Sequence, residues 1–340
     1  MRAVLKTKPG RGIEIGDVPE PEVTPLHVKI EVSACGMCGS DLKIYRDDEH
    51  GPARFPLPQV MGHEPTGTVV AVGDGVTGLK EGDRVFADVR GPCGSCHYCL
   101  LGRFNYCTAL PPMGSNMNGA FAQYTVVRHE LVNHVPNNLI GDEAALLEPL
   151  GVCVHAVSMS SLKAGDSVLV VGPGPIGLLT AQVARAAGAA PVVVSGLGVD
   201  SERLGIAREY GFHTVDVENE DLEEVVREMT DGLGVDVVFE AAGAFEESVG
   251  LVKRGGELVW IAGPSKPMSV RALGQIRSNG LRVSGSYRVM PLDILRMQRL
   301  VSAGALDFSK MLTHRLSLEE ADEAFQLLEN RVGMKVVLKP

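Results

Sequence analysis

The stretch Val168-Leu-Val-Val-Gly172-Pro-Gly174-Pro-Ile-Gly177-Leu-Leu is the feature that most narrows the folds open to this chain. A short apolar run reads as a buried strand, and three glycines spaced Gly-x-Gly-x-x-Gly lead from it into a helical segment. The first glycine allows a tight turn, the second lets the backbone approach a pyrophosphate, and the third lets helix and strand pack closely. N–H groups at the helix start then favour negative charge. A glycine-rich turn can be purely structural, so the assignment of Gly172, Gly174, Pro175, Ile176 and Gly177 to a dinucleotide leans on context. That context is regular: Ile176 to Ala187 reads as helix, Val192 to Ser195 as strand and Ser201 to Tyr210 as helix ended by Gly211, with further strands at Val235 to Phe239 and Glu257 to Ile261. Such alternation predicts an α/β fold with a doubly wound parallel sheet.

An NAD site usually places an acid at the end of the second strand, about 20 residues on, to hold the ribose 2′-hydroxyl. Here Val192-Val-Val-Ser195 is followed by Gly196, and the carboxylate is missing. Asp200 reads as a helix N-cap ahead of Ser201 and Glu202. Loss of the acid removes repulsion against a 2′-phosphate, and Arg203 either reaches such a phosphate or only flanks the adenosine. NAD and NADP therefore both stay open.

The first half has a different texture. From Met1 to about Val154, short β-type runs such as Val28-Lys-Ile-Glu-Val32 and Thr68-Val-Val-Ala-Val72 alternate with turns such as Gly73-Asp-Gly75 and Glu81-Gly-Asp83. After about Arg288 the pattern is mixed, with helices near Leu292 to Ala303 and Leu318 to Glu329 and a last strand, Lys335 to Lys339, that can pair back onto the first half. A length of 340 residues suits two domains. The expected division is 1–154 with 289–340 as a discontinuous, mainly β domain, and 155–288 as the dinucleotide domain.

Seven cysteines, an odd and mostly clustered set, point to thiolate chemistry in a reducing compartment rather than to disulfides. Cys93, Cys96, Cys99 and Cys107, spaced x2, x2 and x7, match a closed tetrahedral zinc site, structural because no coordination position stays open. An iron–sulfur cluster is also sulfur-rich but fits less well beside a second set of ligand types. That set is spread along the chain: Cys38-Gly-Ser40-Asp41, Gly62-His63-Glu64 and Leu147-Glu148-Pro149. One thiolate, one imidazole and one or two carboxylates are what a catalytic zinc with an open position uses, provided they converge in space. Among 32 basic and 42 acidic residues, for a net charge of −10, no basic run stands out, which argues against nucleic-acid or polybasic membrane partners. No apolar run reads as a signal peptide or a membrane span, so the chain is expected in the cytoplasm.

These motifs in this order resemble the zinc-dependent medium-chain alcohol/polyol dehydrogenases along essentially the whole chain. The match is carried by Cys38-Gly-Ser-Asp41, Gly62-His-Glu64, the four-cysteine lobe, Glu148-Pro149, Gly172 to Gly177, Thr313-His-Arg315 and Gly333-Met-Lys-Val-Val-Leu-Lys339. Within the family the chain looks most like sorbitol (L-iditol) dehydrogenase, with threonine 3-dehydrogenase and sugar dehydrogenases as near relatives. The resemblance implies a GroES-like catalytic domain beside a Rossmann domain, two zinc ions per chain, NAD(P), and a homo-oligomer, a tetramer more than a dimer. It places the catalytic zinc on Cys38 and His63, with Glu64 and Glu148 completing the shell or exchanging with water. It also turns Ile261, Ala262, Gly263, Ser286 and Tyr287 toward the nicotinamide.

The reaction so implied moves a hydride from a secondary alcohol of a polyol or sugar-like small molecule to NAD(P)+, with Ser40 as first proton acceptor and Asp41 orienting the metal loop. Tyr45, Arg288 and Arg315 are open candidates for substrate or cofactor contact, His155 reads as a helix or hinge residue, and Cys35 and Cys153 read as apolar thiols. Three departures from the family pattern are the extra thiol of Cys35 near Cys38, Pro65 after His63-Glu64, and Lys43 where many relatives end a proton relay with histidine. A competing reading is a non-catalytic dinucleotide-binding redox sensor, against which the intact Cys38, His63 and Glu148 set argues.

Overall fold

Period-two burial builds the ten-residue strand His27–Gly36: Val28, Ile30, Val32 and Ala34 point into a core while Glu31 and Ser33 face out. The computed structural model describes residues 1–47, 56–89, 91–109, 112–114, 117–263 and 269–340. This strand is the centre of a seven-stranded sheet in the unit formed by Met1–Pro149 and Met311–Pro340. Along the sheet run Leu312–Ser317, Lys335–Lys339, His27–Gly36, Glu64–Val72, Arg84–Ala87 and Val132–His134, and Tyr124–Arg128 also pairs with the central strand. All pairings are antiparallel except that between Leu312–Ser317 and Lys335–Lys339. A smaller sheet joins Glu14–Asp17, Arg2–Lys6 and Gln59–Val60. Val28, Ile30, Phe121, Phe325 and Leu338 share the main core of the unit.

The second unit, Leu150–Lys310, holds a six-stranded parallel sheet in the order His213–Asp216, Val192–Gly196, Val168–Val171, Val235–Glu240, Val252–Trp260, Arg282–Gly285. Val168–Val171 is buried at every position, as a strand must be when helices pack on both sheet faces. Strand order reverses between Val168–Val171 and Val235–Glu240, the switch point at which doubly wound sheets take their ligands.

Packing puts the unit boundaries at 149/150 and 310/311, not at the 154/155 and 288/289 expected from the sequence. The reason lies in the segment 289–310, which belongs with the parallel sheet. On its helix Pro291–Ser302, Asp293 Oδ2 lies 2.7 Å from His155 Nδ1. Farther along, Gln182 exchanges two 2.8 Å hydrogen bonds with the backbone of Asp307, and the Lys310 N–H donates to the Tyr210 hydroxyl at 3.0 Å. Among the described residues no helix is long and apolar enough to cross a membrane.

Candidate functional site

Cys38 sits at the N-terminus of the helix Gly39–Arg46, where the helix dipole favours a thiolate. One turn on, Asp41 is fully buried and does two things. Its Oδ2 accepts from the Cys38 N–H at 2.9 Å, and its Oδ1 lies 3.2 Å from His63 Nδ1. A carboxylate on one ring nitrogen fixes the imidazole and leaves Nε2 for a metal. Gly62, at φ 89°, supplies the turn that delivers His63; a Cβ there would lie 2.6 Å from Cγ of the buried Phe121.

Glu64 opens the strand that pairs with His27–Gly36, opposite Gly36. Its carboxylate is buried against the ammonium group of Lys335, which is itself buried on the strand Lys335–Lys339. Gly36 has to be glycine, since its Cβ would sit 2.9 Å from Lys335 Cε and closer still to Glu64. The Thr313 hydroxyl anchors the segment that carries Lys335, accepting from the Met334 N–H at 2.9 Å and donating to the Lys335 carbonyl at 3.2 Å.

Ligand atoms of Cys38, His63 and Glu64 all lie within 4.8 Å of one another. The electrostatics suit a cation. Burial alone would push the Cys38 thiol up, but its hydrogen bond to His63 and the nearby charges of His63 and Lys335 bring it below the ordinary thiol range. Burial and the negative charge of Glu64 hold the Glu148 carboxyl well above the ordinary carboxylate range. Glu148 thus stands beside the trio without belonging to it, a carboxyl that a bound cation would ionise. Ser40 Oγ lies 3.4 Å from His63 Nε2, the ring nitrogen that Asp41 leaves open.

The second thiol cluster is local. Cys93, Cys96, Cys99 and Cys107 bring their sulfurs within 4.8 Å of one another, and Cys93 Sγ is 4.0 Å from Cys99 Sγ. Zn–S bonds of about 2.3 Å set at tetrahedral angles put sulfurs about 3.8 Å apart, so the cluster fits a closed zinc site. Backbone N–H groups of Ser95 and Cys96 lower Cys93 to about 6.

In the parallel sheet, Gly172 adopts φ 102°, its N–H donates to the Ser195 carbonyl at 2.9 Å, and Gly174 caps the helix Pro175–Ala186. A Cβ on Gly177 would collide with the Gly172 carbonyl, which is why the third glycine is needed. Val171, Ser195, Glu240, Trp260 and Gly285 occupy one register row at the carboxyl edge of the sheet. Ile261–Gly263 and Ser286-Tyr287 follow that row, tied back by Ile261 N–H to the Glu240 carbonyl and Ser286 N–H to the Trp260 carbonyl. Buried polar atoms without a partner among the described residues include Ser195 Oγ, Glu240 Oε2, Trp260 Nε1 and Ser286 Oγ, all on this edge. Orphaned donors and acceptors along a strand-end row are what a polar, extended ligand satisfies.

Other candidates have structural work. Tyr45 is buried and stacks on Phe325 with ring centroids 4.4 Å apart, so it belongs to the core and not to substrate. Arg315 pairs with Asp142 at 3.2 Å, and Arg288 packs over the Tyr287 ring at 4.5 Å. Cys35 is buried with its thiol pushed well up by desolvation, and the Cys153 thiol points to the Ile176 carbonyl at 3.4 Å. Lys43 is exposed on its helix, while Pro65 is buried opposite Cys35. Sequence reasoning gave Lys335 no role; the signal was a lysine at the head of the apolar run Val336-Val-Leu338.

With this geometry in place, comparison with known proteins defines the class. The model for the alcohol dehydrogenase GroES-like domain matches residues 24–137, and that for zinc-binding dehydrogenases matches 175–303. The chain belongs to the zinc-dependent medium-chain dehydrogenases, a family of oxidoreductases, with a GroES-like and a Rossmann domain. It is 35% identical to a sorbitol dehydrogenase of Halalkalibacterium halodurans, over 100% of this chain and 99% of that one. An L-threonine 3-dehydrogenase of Cronobacter sakazakii is 36% identical, over 99% of each. Among solved structures, one described as a zinc-binding dehydrogenase of Sinorhizobium meliloti 1021, bound to NADP, superposes with a TM-score of 0.87 at 33% identity, covering 100% of this chain and 99% of that one.

Proposed function

We propose that the protein oxidises a secondary hydroxyl of a polyol or sugar-like small molecule, passing a hydride to NAD(P)+ and a proton to solvent. The observation that carries this reading is the convergence of Cys38, at a helix start, with the neighbouring pair His63 and Glu64, at a strand start, their ligand atoms all within 4.8 Å of one another. Cys38 and His63 would hold a zinc ion, with Glu64 and Glu148 available to complete or exchange in its shell. Such an ion supplies Lewis-acid chemistry, lowering the pKa of a hydroxyl and polarising a carbonyl.

The protein groups prepare the rest. Asp41 holds the His63 ring, Lys335 neutralises Glu64, and Ser40 Oγ would take the hydroxyl proton and pass it on. The Gly172–Gly177 turn and the helix after it would cradle the cofactor pyrophosphate. The four-cysteine lobe would hold the second, structural zinc. Seven cysteines with no disulfide among the described residues suit a reducing interior such as the cytoplasm. Exposed Leu100, Leu101 and Val283 support self-association, and the resemblance to the family favours a tetramer over a dimer.

Threonine is the second reading for substrate, favoured by the relatives that carry the name L-threonine 3-dehydrogenase at similar identity. A panel of sorbitol and other polyols, sugars, threonine and simple alcohols, assayed with both cofactors on zinc-quantified protein, decides. Turnover of a polyol above threonine is the expected result. A zinc-free protein that binds cofactor and oxidises none of them sinks the proposal in favour of a sensor.

A further inference from the structure

We infer that the protein selects NAD(H) over NADP(H), and that Glu218, reaching in from the turn after the neighbouring strand, sets that choice. The inference rests on the dinucleotide site proposed above and concerns only which cofactor enters it.

Gly196, at the end of the strand Val192–Gly196, occupies the position where an acid would hold the ribose 2′-hydroxyl. A Cβ there would lie 2.7 Å from Pro173 Cγ and 2.9 Å from Pro173 Cδ. Pro173 is a rigid ring inside the glycine turn and cannot swing aside as a long side chain could. The missing carboxylate is therefore a packing consequence of Gly-Pro-Gly in the turn, and by itself carries no information about the cofactor.

A carboxylate reaches the same corner by another route. The Val217 N–H donates to the Gly196 carbonyl at 3.0 Å, which fastens the segment after His213–Asp216 across the end of the neighbouring strand. From there Glu218 Oε2 accepts the Gly198 N–H at 2.9 Å. A Cβ on Gly198 would stand 2.6 Å from that same oxygen, so glycine at 198 is what admits Glu218. Asp216 lies in the same corner, its Oδ2 3.6 Å from the Gly198 Cβ position.

The balance of charge follows. Arg203 places Nη1 3.9 Å from the Gly174 Cβ position and 3.8 Å from Asp200 Oδ1, so its guanidinium lies beside the glycine turn already neighboured by a carboxylate. Asp200, Asp216 and Glu218 face this end of the sheet, with the Arg203 guanidinium beside Asp200. An added phosphate monoester brings about −1.5 to −2 further charge near pH 7 and meets like charge. A ribose 2′-hydroxyl instead donates to a carboxylate at no such cost.

The test is calorimetric titration of the zinc-loaded protein with NADH and with NADPH, and of Glu218→Gln and Glu218→Arg variants, with circular dichroism to confirm folding. NADH is expected to bind at least about tenfold tighter than NADPH, a difference that Glu218→Gln narrows and Glu218→Arg reverses. NADPH binding as tightly as NADH to the unmodified protein, or a ratio that stays unmoved in both folded variants, overturns the inference while leaving the dehydrogenase reading intact. Binding of neither cofactor overturns both.

Discussion

The two clusters of metal-ligand side chains in the first unit are built in opposite ways. Cys93, Cys96, Cys99 and Cys107 lie within a single loop, and Cys38, His63 and Glu64 meet only because a sheet folds. In the lobe Tyr98, Leu100 and Leu101 stay exposed and little core forms among the described residues, so a metal held by the sulfurs would supply the order that packing does not. The other cluster is preorganised by protein: Asp41 fixes His63, and Gly36 makes room for Lys335 to neutralise Glu64. A metal can fold a loop around itself, but a site whose ligands come from distant strands needs supports that are not ligands.

That contrast can be broken by substitution. Cys38→Ser or His63→Ala is expected to lower turnover by about 10³-fold or more with circular dichroism and cofactor binding unchanged, because the preorganised site keeps its shape without one ligand. Normal activity in either variant removes the catalytic assignment. Lys335→Met should leave the Glu64 carboxylate buried and unpaired, costing about 3–5 kcal/mol in denaturant unfolding. The double change Lys335→Met with Glu64→Gln should recover part of that loss, and a recovery of nothing would mean that the two side chains act separately.

Cys93→Ser should remove one zinc per chain by metal analysis and open the 93–107 loop to proteolysis, while the parallel sheet and residual turnover survive. A variant that keeps two zinc ions and resists protease contradicts the lobe assignment.

The smallest effect concerns a surface version of long-range assembly, in which Glu329 joins Arg11 and Arg46, the latter at 2.8 Å. Hydrogen bonds from Arg11 and Arg46 lower the Glu329 carboxyl to about 2 from an ordinary value of 4.5. A depressed carboxyl stabilises above its unfolded value and loses that contribution as pH falls from about 4.5 toward 2. Glu329→Gln should thus be slightly less stable at neutral pH, weakly so in high salt, and indistinguishable from the parent near pH 2. A difference that grows on acidification would refute the pairing.

What could be read in the sequence follows the same divide. The strand, glycine turn and helix at Val168–Ala186 are local, and so are the four cysteines of the lobe; both could be read residue by residue. Cys38, His63, Glu64 and Glu148 could be proposed from ligand type, but the convergence of the first three depends on strand register. The boundary error at 289–310 has a plain cause: an amphipathic helix announces an apolar stripe without saying which unit covers it. Tyr45 looked available for substrate because stacking on Phe325, 280 positions away, leaves no local trace. Lys335 and Glu218 were missed for the same reason, one needing Gly36 across a strand pair and the other Gly198 across a strand end.

The pairing of Lys335–Lys339 with His27–Gly36 also orders events in time. Ribosomes add residues at about 5–20 per second, and domains tend to fold as they emerge. The whole of Leu150–Lys310 is made before the strand that brings Lys335 to Glu64. During synthesis the parallel-sheet unit can therefore close first, while the first-made strands wait with Glu64 uncompensated and one sheet edge unpaired. That interval, a matter of seconds to tens of seconds, is when a nascent chain of this design most needs protection from aggregation.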